Sequence, residues 1–516
     1  HCISSAASDV YKRQYLYRKD DWMKPLDKVV ESTNKYIETM PKAMRKRYGQ
    51  FFTSKKTAVF MASLFDIGDD NRTISILDPG AGSGILSIAL LERLNNYPIE
   101  TVKLVCYEND EKIIPILKDN LEYAKNNVSF QMTYEIRSEN YILDNEIDYN
   151  NMLGAKPNPF KYDVIIGNPP YKKIPKDAVE AHAMPDICYG APNLYFLFME
   201  MALFSLKNNS EMVFIIPRSW TSGAYFNAFR QKLFSESIIE HMHLFVSRDK
   251  VFENESVLQE TMIIKLRKTC QKPEHIIITT TNSNKDFSEI TSFHAPYDTV
   301  VCGKDNYVYL VTNVQEVETL RQLNQWDDTL LSLGLKMKTG LTVDFRNREA
   351  LRDDAEDTAV PLFYSQHIQS GKVIFPIGKE HEYLVTNQVG LLQKNSNYLF
   401  VKRFTAKEEH RRLQCGIYLS RKYPNYRQIS TQNKINFIDG LKGLSECVVY
   451  GLYVLFNSTM YDNYYRILNG STQVNSTEIN SMPVPPMSTI ESMGKELIAK
   501  RDMSEESCDM ILRSYL

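Results

Sequence analysis

The sequence predicts an α/β fold in the first half of the chain, with a doubly wound and largely parallel sheet. From about residue 271 a region built on a different plan follows. Three observations carry this. Short apolar runs alternate with helical segments between residues 74 and 245, which is the pattern of βα units winding a parallel sheet. The last two runs, "IIEHMHLF" and "ETMIIKLR", have no helical segment between them, which implies an antiparallel finish. After residue 271 the rhythm stops, and short strand-like runs, turns and charged clusters take over.

The elements follow in order. The opening "HCISSAASDVYKRQ" lacks the apolar core of a signal peptide. Its Ser4–Gln14 stretch resembles the translation of a sequencing-library adapter. Residues 1–14 are therefore set apart from the fold, and the natural N-terminus is expected to be missing. Residues 15–48 are charged and helical in character. "GQFFTSKKTAVFMASLF" then places Ala58, Met61, Ala62 and Leu64 at helical spacing. Strands are predicted over 74–77, 102–107, 131–136, 162–167 and 211–217, with helices over 85–96, 111–124 and 194–206. The expected division is a first domain over 15–270, a polar linker over 271–300 and a second domain over 301–516.

Composition narrows the class. A chain of 516 residues with 43% apolar and 24% charged content has enough material for more than one folded domain. The formal net charge of −2 excludes a generally basic nucleic-acid coat, so any nucleic-acid surface must be a local patch. Eight cysteines include no C-x-x-C pair, so reduced thiols in a prokaryotic cytoplasm are expected and no metal is. No run of about 18 apolar residues predicts a membrane span.

"ILDPGAGSGIL" puts Asp78 at a strand end and Gly80, Gly82 and Gly84 in the turn to a helix, where missing side chains let a ligand approach the backbone. Glu108 ends the next strand, 24 residues after Gly84, where a carboxylate can accept both ribose hydroxyl protons. A surface Glu beside an ordinary glycine turn is the bland alternative. This pairing resembles the S-adenosylmethionine-dependent methyltransferases. The resemblance implies that Asp78, Pro79, Gly80 and Gly82 hold the methionine part of the cofactor and Glu108 the ribose. It places Asn140-Tyr141 where that family often has Asp-Phe, so that the Asn140 amide faces the adenine amino group.

"VIIGNPPYKK" ends a buried strand on an amide, two prolines and an aromatic ring. Methylating an aromatic amine is hard because its lone pair is delocalised. A site must accept the NH₂ protons and push the nitrogen toward tetrahedral geometry. The Asn168 oxygen and the Pro169 carbonyl are two such acceptors; Pro169 and Pro170 fix the loop, and Tyr171 offers a face for a planar base. The motif resembles that of amino methyltransferases acting on DNA adenine, RNA adenine or protein glutamine. The four residues alone do not separate these.

Three further features favour DNA. "GQFFTSKK" resembles the segment preceding the glycine turn in gamma-class, TaqI-type DNA adenine methyltransferases. That family usually has Thr-Pro where this chain has Thr53-Ser54, and Thr53 would reach the cofactor carboxylate. "NLYFLFMEMAL", "EMVFIIPRSW" and "KVFENESVLQETMIIKL" resemble later blocks of that family. In the last of these, Phe252 matches the aromatic that packs on the flipped base opposite Tyr171; an ordinary core Phe is the alternative. About 240 residues then follow, and "KTGLTVDFRN", "AVPLFYSQHIQSGKVIFP", "YLFVKRFTAKEEHRR" and "YYRILNGSTQVNSTEINSMPVP" resemble recognition domains of PstI-type modification methylases. Eight Lys/Arg against two Glu between Val401 and Arg427 form the local basic patch. Lys402, Arg403, Arg411 and Arg412 are candidates for phosphates, and Arg346, Arg348, Gln473 and Asn475 for base edges.

The resemblance spans about residues 45–487. It implies a Rossmann-like, mixed seven-stranded methyltransferase sheet with an α+β target recognition domain. The implied activity is adenine-specific DNA N6 methylation by a monomer acting on double-stranded DNA, with a separate cognate endonuclease. Cytosine N4 methylation, usually carrying Ser in place of Asn168, and an inactive DNA-binding protein of the same fold are the alternatives.

Overall fold

In the computed structural model, residues 23–39, 53–68, 72–151, 161–246, 261–283, 287–406, 409–468 and 473–516 are described. The chain divides into two compact units, one holding most of residues up to 312 and the other running from Asn313 to Leu516.

The first unit is built on strands β1 (Thr73–Asp78), β2 (Thr101–Tyr107), β3 (Gln131–Arg137), β4 (Tyr162–Gly167), β5 (Leu206–Pro217), β6 (Ile238–Phe245), β7 (Thr261–Arg267), β8 (His275–Thr281) and β9 (Thr291–Pro296). They form one sheet in the order β3-β2-β1-β4-β5-β7-β6-β8-β9. β1 to β5 run parallel, and β7 is antiparallel to both β5 and β6, the antiparallel finish that the sequence implies. The longer helices are α1 (Pro25–Thr39), α2 (Lys55–Ser63), α3 (Ile85–Leu94), α4 (Ile114–Lys125), α5 (Leu194–Ser205) and α6 (Asn227–Glu236). On one sheet face Ile74, Ile76, Val102, Leu104, Val164 and Ile166 join the apolar residues of α1 to α4 in a single core. Pleating sends the alternate residues Leu77, Ile165 and Phe214 to the opposite face. Helix α5, buried around nearly its whole circumference, packs on β5.

The region 271–300, expected as a linker, instead carries β8 and β9 and widens the expected seven strands to nine. Its polar composition misleads because the threonines serve buried histidines. Thr279 Oγ1 lies 2.9 Å from His243 Nδ1 and Thr281 Oγ1 lies 3.1 Å from Nε2. His243 is fully buried, 4.5 Å from the Phe60 ring, and burial holds its pKa well below the usual imidazole value. A depressed histidine pKa contributes stability that is complete above the unfolded value of about 6.5 and is lost as pH falls below it. Chemical denaturation between pH 6.5 and 5 should therefore show a slope of up to about 1.4 kcal/mol per pH unit from this residue. That contribution should be absent in His243→Gln.

The second unit is α+β. Its strands form a six-stranded sheet, which includes Leu335–Thr339, Tyr398–Lys402 and Ile435–Gly440, and a five-stranded sheet that includes Val360–Phe363 and Gln428–Thr431. Helices Glu446–Asn457, Thr459–Leu468, Met487–Lys500 and Glu505–Arg513 accompany them. No helix among the described residues is long and apolar enough to cross a membrane.

Candidate active site

Strand order reverses between β1 and β4, so their carboxyl ends diverge and leave a crevice, the usual ligand position in an open α/β sheet. Both sequence motifs lie there. After β1, Gly82 and Gly84 take φ values of +55° and +87°, a region that side chains disfavour. A Cβ on Gly84 would lie 2.8 Å from Leu117 Cδ1, whereas one on Gly82 would meet nothing within 4 Å. Gly84 thus lets α3 pack on α4, and Gly82 faces open space. A Cβ on Gly80 would sit 3.7 Å from the Asn168 carbonyl oxygen, so the glycine turn and the Asn-Pro-Pro-Tyr loop abut.

A cavity of about 580 Å³ runs past these groups, and Thr53, Pro79, Gly80, Gly82, Glu108, Asn140, Asn168 and Pro170 all border it. Glu108 Oε2 accepts the Gly82 N–H and Oε1 the Asp110 N–H, both at 2.8 Å. Burial pushes the Glu108 pKa up, against the opposing effect of these backbone donors. Asn168 Nδ2 donates to Thr53 Oγ1 at 3.1 Å. Next to Thr53, the Ser54 hydroxyl accepts the Thr57 N–H at 3.2 Å and caps α2, a role that the usual proline cannot fill.

Three expected contacts are placed differently. Asp78 is fully buried behind the turn and accepts the Ser87 hydroxyl at 2.7 Å; burial raises its pKa to about 7. It follows Ile76 by two residues, so the pleat turns it toward α3 and away from the cavity wall. Asn140 borders the cavity, but its Oδ1 caps the short helix Tyr141–Asp144 by accepting from Ile142 N and Leu143 N at 3.1 and 3.4 Å. The Tyr171 ring is buried beside Tyr195, with centroids 6.4 Å apart and planes at 85°, and its hydroxyl donates to the Ile215 carbonyl at 2.9 Å. Phe252 lies outside the described residues.

Other site residues escaped the sequence reading. Phe198 borders the cavity, and its ring continues a row through Tyr141, 5.4 Å away, to Tyr107, 4.9 Å further on. The available signal is its spacing: four residues after Leu194, it shares a helix face with the first residue of α5. Helices α1 and α4 brace the turn through Ser83. Thr33 Oγ1 donates to Ser83 Oγ at 2.7 Å, and Asn120 Nδ2 donates to the Ser83 carbonyl at 2.9 Å. Among the described residues one carboxylate trio, Asp66, Glu211 and Glu240, has metal-like spacing. Lys265 Nζ already lies within 2.7–3.1 Å of all three.

In the second unit the predicted basic patch separates into two groups. Arg411 Nη2 donates to the Phe456 and Ser458 carbonyls at 3.1 and 3.0 Å, capping helix Glu446–Asn457, and Nη1 pairs with Glu505 at 3.1 Å. Arg412 is fully buried, and its Nε donates to Thr405 Oγ1 at 3.1 Å. Both are structural, a correction to their expected place on phosphates. The partners of Arg411 lie well beyond the charge run in sequence, so composition does not reveal them. The other group stays at least partly exposed. Lys402 Nζ donates to Gln414 Oε1 at 2.9 Å, and Arg403 Nη1 donates to the Asn433 carbonyl at 3.1 Å. Phe404 bridges to Gln473, and Asn475 N donates to Tyr465 Oη at 3.1 Å. Arg346 and Arg348 are exposed in the loop after Thr339. Register pairs Thr339 and Val401 with Asn436, which brings these loops to the same end of the six-stranded sheet.

The parallel sheet, the open space over Gly82 and the Glu108 carboxylate at the second strand end fit S-adenosylmethionine, and they define an S-adenosylmethionine-dependent methyltransferase. Comparison with known proteins narrows the class. Residues 86–252 match the Eco57I restriction-modification methylase family. The type II methyltransferase M.BsuBI of Bacillus subtilis is 35% identical over 92% of this chain and 95% of its own length. M.PstI of Providencia stuartii is 32% identical over 92% and 93%. The solved type IIL restriction-modification enzyme MmeI, in complex with DNA, has a TM-score of 0.49 at 13% identity, covering 96% of this chain and 70% of that one. The chain belongs to the type II methyltransferases of restriction–modification systems.

Proposed function

We propose that this protein transfers a methyl group from S-adenosylmethionine to N6 of an adenine flipped out of a specific double-stranded DNA sequence. The observation that carries this reading is the abutment of the Asn-Pro-Pro-Tyr loop on the glycine turn around one cavity. Bound there, the cofactor supplies an electrophilic methyl group. The Thr53 hydroxyl holds the Asn168 amide nitrogen. The amide oxygen and the Pro169 carbonyl then accept the two N6 protons and draw the nitrogen lone pair out of the ring. Pro169 and Pro170 keep these acceptors preorganised, so positioning is the main catalytic device. Phe252 is proposed to stack on the flipped base, while the buried Tyr171, bonded to the Ile215 carbonyl, anchors the loop.

Lys402 and Arg403 are proposed for the DNA backbone, with Arg346, Arg348, Gln473 and Asn475 for base edges, and Phe345 and Phe404 stand exposed among them. The double variant Lys402→Ala/Arg403→Ala should weaken DNA binding and reduce the salt slope of log K by roughly 2, one unit per lost phosphate contact. Arg412→Ala should leave that slope unchanged and instead lower unfolding stability by roughly 2 kcal/mol. The protein is proposed to act as a monomer in a bacterial cytoplasm, with any cognate endonuclease acting separately.

Asn168 in place of serine favours adenine over cytosine. The test is transfer of labelled methyl groups to unmethylated DNA, followed by digestion to nucleosides and chromatography. Label in N6-methyladenine supports the proposal. Label in N4-methylcytosine overturns the choice of base, and unlabelled DNA overturns the DNA substrate.

A further inference from the structure

The cavity crosses three strand ends in the order β1, β2, β3. The glycine turn follows β1, Glu108 follows β2 and Asn140 follows β3. A nucleoside whose ribose hydroxyls meet Glu108 therefore carries its base outward, toward the β3 end. The polar groups there are unusual. Asn140 Oδ1, the acceptor expected for an adenine amine, already takes two backbone N–H groups of the helix that it caps. The Asn140 amide nitrogen can only donate, and it does so to Glu180 Oε1 at 2.9 Å. Glu180 lies on the short helix Val179–Ala183, in the segment that joins the Asn-Pro-Pro-Tyr loop to α5, and it borders the same cavity. Among the described residues its Oε2 accepts no hydrogen bond.

We propose that Glu180 reads the 6-amino group of the cofactor's adenine, the part expected of Asn140. One carboxylate oxygen is oriented by Asn140 Nδ2, and the other accepts a proton of the exocyclic amine. A carboxylate only accepts, so this site selects a purine bearing a donor at position 6 and rejects one bearing a carbonyl there. Asn140 becomes a positioning residue that acts through Glu180. The inference rests on S-adenosylmethionine as cofactor and is independent of which base or macromolecule receives the methyl group.

The test is calorimetric binding of two ligands to the full chain, with no methyl transfer involved. One is S-adenosylhomocysteine; the other is its analogue with hydrogen in place of the 6-amino group. A hydrogen bond to a charged group predicts that the wild type prefers the amino ligand by about tenfold or more. Glu180→Ala should bind the deamino analogue as the wild type does and bind S-adenosylhomocysteine at least about tenfold more weakly, so the preference disappears. Glu180→Gln has one acceptor oxygen to serve both Asn140 and the amine, and should show an intermediate preference. An alanine variant that weakens both ligands equally would make Glu180 a structural brace and overturn the proposal. So would an unchanged preference, or a wild type that does not distinguish the ligands.

Discussion

Asn168→Ala is expected to lower the single-turnover rate of methyl transfer by about 10²–10³-fold, the cost typical of deleting one preorganised hydrogen-bonding group from an active site. Cofactor affinity should stay within about threefold of the wild type, because Glu108 and the glycine turn do not depend on the amide. The asymmetry follows from where each group sits. Asn168 donates to Thr53 and borders the cavity on the loop that abuts Gly80, while Glu108 bonds to Gly82 and Asp110. An amine nitrogen that keeps its lone pair in the ring is a poor nucleophile, so losing an acceptor raises the barrier and leaves binding alone. Full transfer by the alanine variant would remove Asn168 from the mechanism.

The second large effect falls on binding. Glu108→Ala should weaken S-adenosylmethionine by about two orders of magnitude, since hydrogen bonds to a charged acceptor contribute about 1.5–3 kcal/mol. Calorimetry measures this directly. Part of the loss comes from the turn itself, because the Gly82 and Asp110 N–H groups lose the carboxylate that fixes them. Burial raises the Glu108 pKa, and only the ionised form accepts from both ribose hydroxyls. Affinity should therefore decline toward acid pH in the wild type, and the decline should be much smaller in Glu108→Gln. An alanine variant that binds the cofactor normally would contradict the assignment.

Much of the first unit was legible because its strands are continuous apolar runs bounded by turn residues. The strand predicted over 162–167 is β4 as observed, and the helix predicted over 194–206 ends one residue earlier. The positions of the motifs at strand ends were legible for the same reason, since glycines, an acidic residue and a proline pair mark points where the backbone turns. Side-chain direction was not. Whether Asp78 faces the cavity or α3 depends on the pleat, and Asn140 became a helix cap through a bond to its own neighbours. The strand β8 was hidden because Thr279 and Thr281, polar in sequence, face a buried histidine. Arg411 and Arg412 read as surface charges until the fold brought Glu505 and Thr405 to them. Glu180 carries no motif; only its bond to Asn140 singles it out.

The activity proposed for this protein is sequence-specific methylation of adenine in DNA. Its most direct test is long-read sequencing of DNA from a methylation-free bacterial host that expresses the protein, with the Asn168→Ala variant as control. One enriched motif carrying modified adenine, absent from the control, is the predicted result. Modified cytosine in a fixed motif would contradict the choice of base, and unmodified DNA alongside soluble, cofactor-binding protein would contradict DNA as the substrate.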